Sequence, residues 1–287
     1  MPIDPDVALA APPRVEEFSW TNSDVLLYHL ALGAGNPPTD ERELRYATEP
    51  NLQVLPTFGI IAPTVHATEP PKVESPGISI DLQTIVHGSQ RIDLPGPIPT
   101  SGAATLSTKV TGVYDKGPAA VVVSESTATA TDGTVLWKGT SSIFAKGAGG
   151  FGGDRGPSSS GGVPDRAPDH VIVTPTAPSQ ALLYRLLGDR NPLHSDPAFA
   201  AGAGFPAPIL HGLCTYGMVC KAVVDTLLDA DVSRVAAYGV RFAGVVFPGE
   251  TLRTSVWDED GTLLIATTVD ERDSAPALAG AEMELHR

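Results

Sequence analysis

A stretch near the middle of this 287-residue chain cannot build a hydrophobic core, and it sets the organisation of what flanks it. From Lys146 to His170 the sequence reads KGAGGFGGDRGPSSSGGVPDRAPDH, dense in Gly, Pro and Ser and nearly free of large apolar side chains. Glycine leaves the backbone too free for regular structure and proline withholds a donor, so the segment is expected to be an irregular linker. The chain divides into residues 1–146, a linker at 147–170, and residues 171–287, each flank being long enough to bury its own core. A G-x-G-x-x-G spacing falls at Gly147, Gly149 and Gly152. A dinucleotide fingerprint leaves a strand and opens a helix, whereas here Pro and Ser follow, which favours the linker.

The flanks repeat one another. Leu26-Leu27-Tyr28-His29-Leu30 matches Leu182-Leu183-Tyr184-Arg185-Leu186, and a glycine follows each, Gly33 and Gly188. Asp132-Gly133-Thr134-Val135-Leu136 is echoed by Asp260-Gly261-Thr262-Leu263-Leu264, an Asp-Gly turn between strand-like runs in both. Each half begins with a short helix and ends with long strand-like stretches such as Ala119–Thr129 and Thr251–Trp257, the segregated α+β pattern. In the second half Thr176 or Ser179 is expected to cap a helix with Leu182, Leu183, Leu186 and Leu187 on one apolar face and Gly188 as its stop. A second helix is expected from His211 and Gly212 toward Leu228. A helix wrapped by a curved antiparallel sheet satisfies this pattern.

Composition removes several functions. The net charge of −14 repels nucleic acid and anionic lipid, and no apolar run approaches the ~20 residues of a membrane span. Residues Met1–Pro13 lack a basic and apolar leader, and Leu285-His286-Arg287 is no targeting address, so a cytoplasmic location is expected. Cys214 and Cys220, six apart on one expected helix, read as buried free thiols in a reducing compartment.

Polar residues concentrate in Tyr184–Asp196, where Gly188 and Pro192 bend a loop carrying Asp189, Asn191 and His194. A carboxylate and an imidazole can share a water molecule, one accepting its proton while the other holds or donates; Asn191 can orient either. Charge developing on a substrate carbonyl needs a donor, and the N–H of Gly212, at a helix start without a side chain, is the candidate. Taken singly, Asp189 could be a turn residue, His194 a structural histidine and Gly212 an ordinary helix start, while His211 structures the start of that helix. A metal site from Asp189, His194, Asp196 and His211 has no recognised ligand spacing, so no metal is expected.

The stretch YRLLGDRNPLH at 184–194, continued by Ala198–Phe205, and PILHGLCTYG at 208–217 resemble the signature of the MaoC-like (R)-specific enoyl-CoA hydratases, the hydratase 2 family. The likeness extends through Leu55–Phe58, His87-Gly88-Ser89-Gln90, Gly149–Gly153 and Arg241-Phe242, and is nearest to two-domain members such as the hydratase 2 part of peroxisomal multifunctional enzyme type 2 and its actinobacterial relatives. It implies a double hot dog fold, two repeats each with a helix wrapped by a curved antiparallel sheet. It further implies that Asp189 and His194 carry catalysis, with Asn191 between them and the Gly212 N–H on the thioester carbonyl. By the same resemblance His87, Gly88, Lys116, Arg190 and Phe242 contact CoA or the acyl group, and Glu49 supports the site. The first repeat has Leu32-Gly33-Ala34-Gly35-Asn36 against Leu187-Gly188-Asp189-Arg190-Asn191, so it lacks the Asp and the His and is expected to open space for an acyl tail. His29, where a small residue is expected, bears on the shape of that pocket. The implied activity is reversible hydration of trans-2-enoyl-CoA to the 3R-hydroxyacyl-CoA by a cofactor-free homodimer. The alternatives are a hydroxyacyl-ACP dehydratase, disfavoured by the acidic charge, and a non-catalytic acyl-CoA-binding subunit.

Overall fold

A computed structural model describes residues 2–157 and 162–286. The first half runs α1 (Pro5–Ala10), β1 (Arg14–Trp20), α2 (Asn22–Ala31), α3 (Glu41–Ala47), α4 (Phe58–Ile61), β2 (Val73–Ser75), β3 (Ile78–Ile80), β4 (Ile85–Asp93), β5 (Gly102–Asp115), β6 (Ala119–Ala130) and β7 (Val135–Lys146). The second runs β8 (His170–Pro175), α5 (Gln180–Tyr184), α6 (Pro197–Gly202), α7 (Gly212–Leu227), β9 (Val235–Phe242), β10 (Thr251–Glu259), β11 (Thr262–Val269) and β12 (Ala275–Leu285).

Ten strands form one antiparallel sheet in the order β1-β5-β6-β7-β4-β9-β12-β11-β10-β8, with β2 and β3 paired apart from it. Read inward from either edge the order is the same, so β1, β4, β5, β6 and β7 correspond to β8, β9, β10, β11 and β12: one topology used twice. The units join where β4 pairs with β9, Ser89 opposite Arg241 and Arg91 opposite Gly239. This correspondence corrects one sequence expectation. The Asp132-Gly133 turn joins β6 to β7, but Asp260-Gly261 joins β10 to β11, the partners of β5 and β6. The echo is shared turn chemistry at non-equivalent hairpins, since Asp-Gly suits any tight reversal.

α7 is the core of the second unit. Val219, Cys220, Val223 and Val224 are fully buried on it, and each aliphatic side chain so placed contributes ~1.5–3 kcal/mol. α2 packs against α7 at Gly217, where a Cβ would stand 2.6 Å from Tyr28 Oη and 2.8 Å from Leu32, so only glycine allows the approach. Among the described residues the first unit has no helix to match α7: α4 spans four residues and tightens into a 3-10 turn at Ala62–Thr64.

α2 begins as its sequence suggests, with a reciprocal capping box between Thr21 and Asp24. α5 does not. Ser179 makes no side-chain cap, Thr176 Oγ1 bonds the Glu250 carbonyl, and the Ala177 N–H donates to Gln180 Oε1 instead. Nor do the four leucines of α5 and the 3-10 turn Arg185–Leu187 that follows it share one face: Leu183 and Leu187 point inward, while Leu182 and Leu186 are 56% and 43% exposed.

Among the described residues, strands stop at Lys146 and resume at His170. The glycine-rich start of the intervening segment wraps a carboxylate of its own chain: Asp115 Oδ1 accepts from the Gly117 and Gly150 N–H groups, and Oδ2 from Gly152. Those bonds hold the Asp115 carboxyl below the usual carboxylate range. Backbone N–H groups bared by glycine gather an anion here, as in a phosphate loop, but the anion is internal.

Candidate active site

Gly188 decides the local path. It ends the 3-10 turn Arg185–Leu187 with φ +101°, and a Cβ on it would stand 1.8 Å from the Thr64 carbonyl oxygen. Two independent constraints therefore demand glycine at the residue before Asp189. Asp189 Oδ1 then accepts the Asn191 N–H at 3.1 Å, and Asn191 Oδ1 accepts the Leu193 N–H at 3.0 Å, which starts a short 3-10 turn through Pro192 and His194. With one lone pair of its oxygen engaged, Asn191 keeps its NH2 group and a second lone pair for other partners.

His194 donates its Nδ1–H to the Ile209 carbonyl at 2.9 Å; a carbonyl only accepts, so in the neutral ring Nε2 carries the lone pair. Burial lowers its pKa below the ordinary 6.5, while the Asp189 charge pulls the other way. The ring is thus neutral and able to take a proton at physiological pH.

The N–H groups of Gly212 and Leu213 open α7, where no preceding turn supplies an acceptor; the first helical bonds run from Cys214 N and Thr215 N to the His211 carbonyl at 3.0 and 3.2 Å. A Cβ at Gly212 would press on Phe242 at 3.1 Å. Asp189, Asn191, His194, Gly212, His87 and Phe242 all line one cavity of about 440 Å³. The His87 ring, on β4, lies tilted against Phe242, on β9, with centroids 4.8 Å apart, so the cavity lies across the junction of the repeats. Burial pushes His87 down to about 4, against the pull of Asp189, and its Nε2 is covered without a partner. Leu82, Ile85, Val86 and Ile143 make an apolar wall from the first repeat.

Asp189, His194 and His211 bring donor atoms within 4.8 Å of one another. The His194 and His211 rings stack at 3.7 Å with planes 26° apart. Two imidazoles bind one ion only when it lies near both ring planes, and planes so disposed do not meet within a metal–nitrogen bond of about 2 Å. The trio is a poor metal site, and Asp196 faces away to cap α6 through the Ala198 and Phe199 N–H groups.

The other residues singled out in the sequence lie elsewhere. Gly88 follows His87 on β4, where a Cβ would stand 2.7 Å from Ser142 Oγ. Arg190 reaches the Ala67 carbonyl at 3.4 Å. Lys116 lies in the β5–β6 turn, bonds the Arg155 carbonyl and is not among the cavity-lining residues. Exposed Glu49, just after α3, also does not line the cavity. His29 is a further correction: it shapes no pocket, being fully buried with Nδ1 on the Tyr46 carbonyl at 2.9 Å and Nε2 accepting the Leu55 N–H at 3.1 Å. Sequence reasoning grouped His211 with His194 only as a metal set of no recognised spacing and did not foresee their ring stack, nor which residues form the first-repeat wall. Only the adjacency of His211 to Gly212 hinted at the former.

Residues 18–147 match the family model described as the MFE-2 hydratase 2 N-terminal domain, and residues 159–275 the one described as the MaoC like domain. Over 99% of both chains the sequence is 58% identical to the enoyl-CoA hydratase ChsH3 of Mycobacterium tuberculosis. The chain belongs to the MaoC-like hydratases. Another relative, the probable enoyl-CoA hydratase 2 of Dictyostelium discoideum, is 37% identical over 92% of this chain and 90% of its own. Among solved structures, the MaoC-like dehydratase from Phytophthora capsici superposes with a TM-score of 0.88 at 30% identity, covering 99% of this chain and 98% of its own. A Mycobacterium tuberculosis protein described as having a double hotdog fold, 12% identical, superposes at 0.58 over 96% of this chain and 95% of its own, sharing the fold. The duplicated topology of this MaoC-like hydratase is that double hot dog.

Proposed function

We propose that this protein is an (R)-specific 2-enoyl-CoA hydratase that adds water reversibly and on one face across a trans-2-enoyl-CoA. The observation that carries the reading is the placement of the Asp189 carboxylate, the unprotonated Nε2 of His194 and the helix-start N–H of Gly212 around one cavity. Asp189 and His194 hold a water between them. As its oxygen bonds to C3, a proton passes to this pair and the pair returns one to C2 from the same side. The electrons of the double bond shift toward the thioester oxygen, where the polarised Gly212 N–H stabilises the developing charge. Asn191 orients the Asp189 carboxylate through its own backbone N–H.

His87 and Phe242 contact the substrate where the repeats meet, and the apolar first-repeat wall takes the acyl chain. Gly88, Arg190, Lys116 and Glu49 have weaker support, since none of them lines the cavity. CoA is the favoured carrier: relatives bear enoyl-CoA hydratase names, and a net charge of −14 repels an acidic carrier protein. No described helix is long and apolar enough to cross a membrane, and the buried free Cys214 and Cys220 suit a reducing, cytoplasmic setting. A homodimer completes the reading, with edge strand β8 and its half-exposed Val171 and Val173 as one surface available for pairing.

The test is incubation of the purified protein with crotonyl-CoA and trans-2-decenoyl-CoA, following loss of the enoyl absorbance and determining product configuration. A 3R product supports the assignment; a 3S product, or no hydration of either ester, overturns it.

A further inference from the structure

We infer that His211 is a positioning residue for the reaction: its ring fixes the orientation of the His194 ring while its Nε2–H fixes the backbone that presents the Asp189 carboxylate. The inference rests on the reading of Asp189 and His194 as the reacting pair and adds a residue that holds both.

His211 is 1% exposed and occupies the cap position of α7, yet makes no side-chain capping bond. Its Nε2–H donates instead to the Asp189 carbonyl at 3.3 Å. One face of the ring stacks on His194 at 3.7 Å, and Tyr184 lies at 4.9 Å. The usual tasks of a buried histidine here are thus both excluded: it does not cap its helix, and the stacked planes cannot share a metal ion.

Geometry shows what is left for it to do. His194 has a single hydrogen bond, from Nδ1 to the Ile209 carbonyl, and one such bond leaves a ring free to rock about its own line. A face contact at 3.7 Å removes that freedom and aims the Nε2 lone pair. Asp189 follows Gly188, the most permissive residue for a backbone hinge, so a bond to the Asp189 carbonyl fixes the next link in the chain. Because Nε2 carries the hydrogen, Nδ1 of His211 holds a buried lone pair without a partner, a cost that asks for a compensating role. The charges around it agree. Burial holds His211 well below ordinary histidine, and His194 and Arg185 push the same way against the Asp189 carbonyl bond. A neutral ring beside His194 presents a π face to the imidazolium formed when that residue accepts a proton, whereas a second cation would oppose it.

The experiment compares wild type with His211→Phe, His211→Gln, His211→Ala and Asp189→Asn in steady-state hydration of crotonyl-CoA across pH, with Tm recorded for each. His211→Gln and His211→Ala are expected to lose roughly 10- to 100-fold in kcat with KM nearly unchanged. In His211→Ala the acid limb moves up toward pH 6.5, because water reaches His194 and relieves the burial that lowers its pKa. His211→Phe keeps the stacked face and the dry surroundings, so its limb stays in place and its kcat falls less than that of His211→Gln. A residue with only a structural role would lower Tm without splitting kcat from KM or moving the limb. Wild-type kcat and an unmoved limb in folded His211→Gln or His211→Ala overturn the inference, and should those two fail to fold, a Phe variant with kcat as low as Asp189→Asn does so as well. Full activity in Asp189→Asn overturns instead the reading on which the inference rests.

Discussion

The two repeats share a five-strand topology and diverge just after α2 in the first and α5 in the second. In the second, Gly188 leads to Asp189, Asn191 and His194 around a cavity; in the first, Gly33 leads to Ala34, which is buried and solidly packed. The chain there continues into α3, which is tied to the second repeat's core helix: Lys221 bonds Glu43 and Asp225 at 2.7 Å each, and Tyr46 donates to Asp225 at 2.7 Å. His29 staples the Tyr46 and Leu55 backbones beneath it. The space that is open in the second copy is therefore filled with side chains in the first. Among the described residues the first repeat has no long central helix, and its β4 and β7 wall the cavity it shares with the second. Duplication allows this division because the β4–β9 junction brings both copies to one cavity.

Substituting the paired glycines tests the contrast most strongly. Gly188→Ala meets both a left-handed backbone and the Thr64 carbonyl, and is expected to destabilise by at least about 3 kcal/mol in urea melts. Gly33→Ala, at φ +91° but with nothing within 4 Å of its Cβ, is expected to cost only about 1 kcal/mol. Equal losses would mean that the two turns are constrained alike.

Next in size is the stability of the packed half against pH. His29 is held at about 4 in the fold against 6.5 in the free side chain. The unfolded chain binds that proton more tightly, so stability is full above pH 6.5 and drains as pH falls toward 4, by up to ~1.4 kcal/mol per pH unit. A His29→Gln variant, measured by denaturant unfolding across that range, should show a shallower fall than wild type; parallel curves would contradict the assignment. In the second repeat the same physics bears on the proposed reaction: the acid limb of kcat/KM assigned to His194 is expected below pH 6.5, and a limb above that value would mean that the Asp189 charge outweighs burial.

The smallest effect concerns the wall. Val86→Phe projects bulk from the first repeat into the cavity and is expected to raise KM for trans-2-decenoyl-CoA by roughly tenfold while changing crotonyl-CoA little. An equal effect on both esters would mean that the acyl chain does not lie along this wall.

What the sequence disclosed and what it hid follow from range. The bend that gathers Asp189, Asn191 and His194 was legible because Gly188 and Pro192 enforce its path locally, and the Gly-Pro-Ser composition marked the break between strands. Helix α7 began and ended within a residue of its pattern. The short α4 was not singled out, although Pro63 within the 58–64 segment withholds a backbone donor where the helix tightens into its 3-10 turn. Hairpin equivalence was hidden because two Asp-Gly turns look alike wherever they fall. The stack of His211 on His194 and the wall from Ile85, Val86 and Ile143 depend on strand pairing and helix placement across separations that no local window spans.

The measurement that bears most directly on the division of labour is enoyl-CoA hydration by Asp189→Asn, which preserves shape while removing the charge. With Tm and KM close to wild type, kcat is expected to fall by at least about 100-fold. A folded Asp189→Asn that hydrates crotonyl-CoA at the wild-type rate would contradict the assignment of catalysis to the second repeat's Asp189–His194 pair.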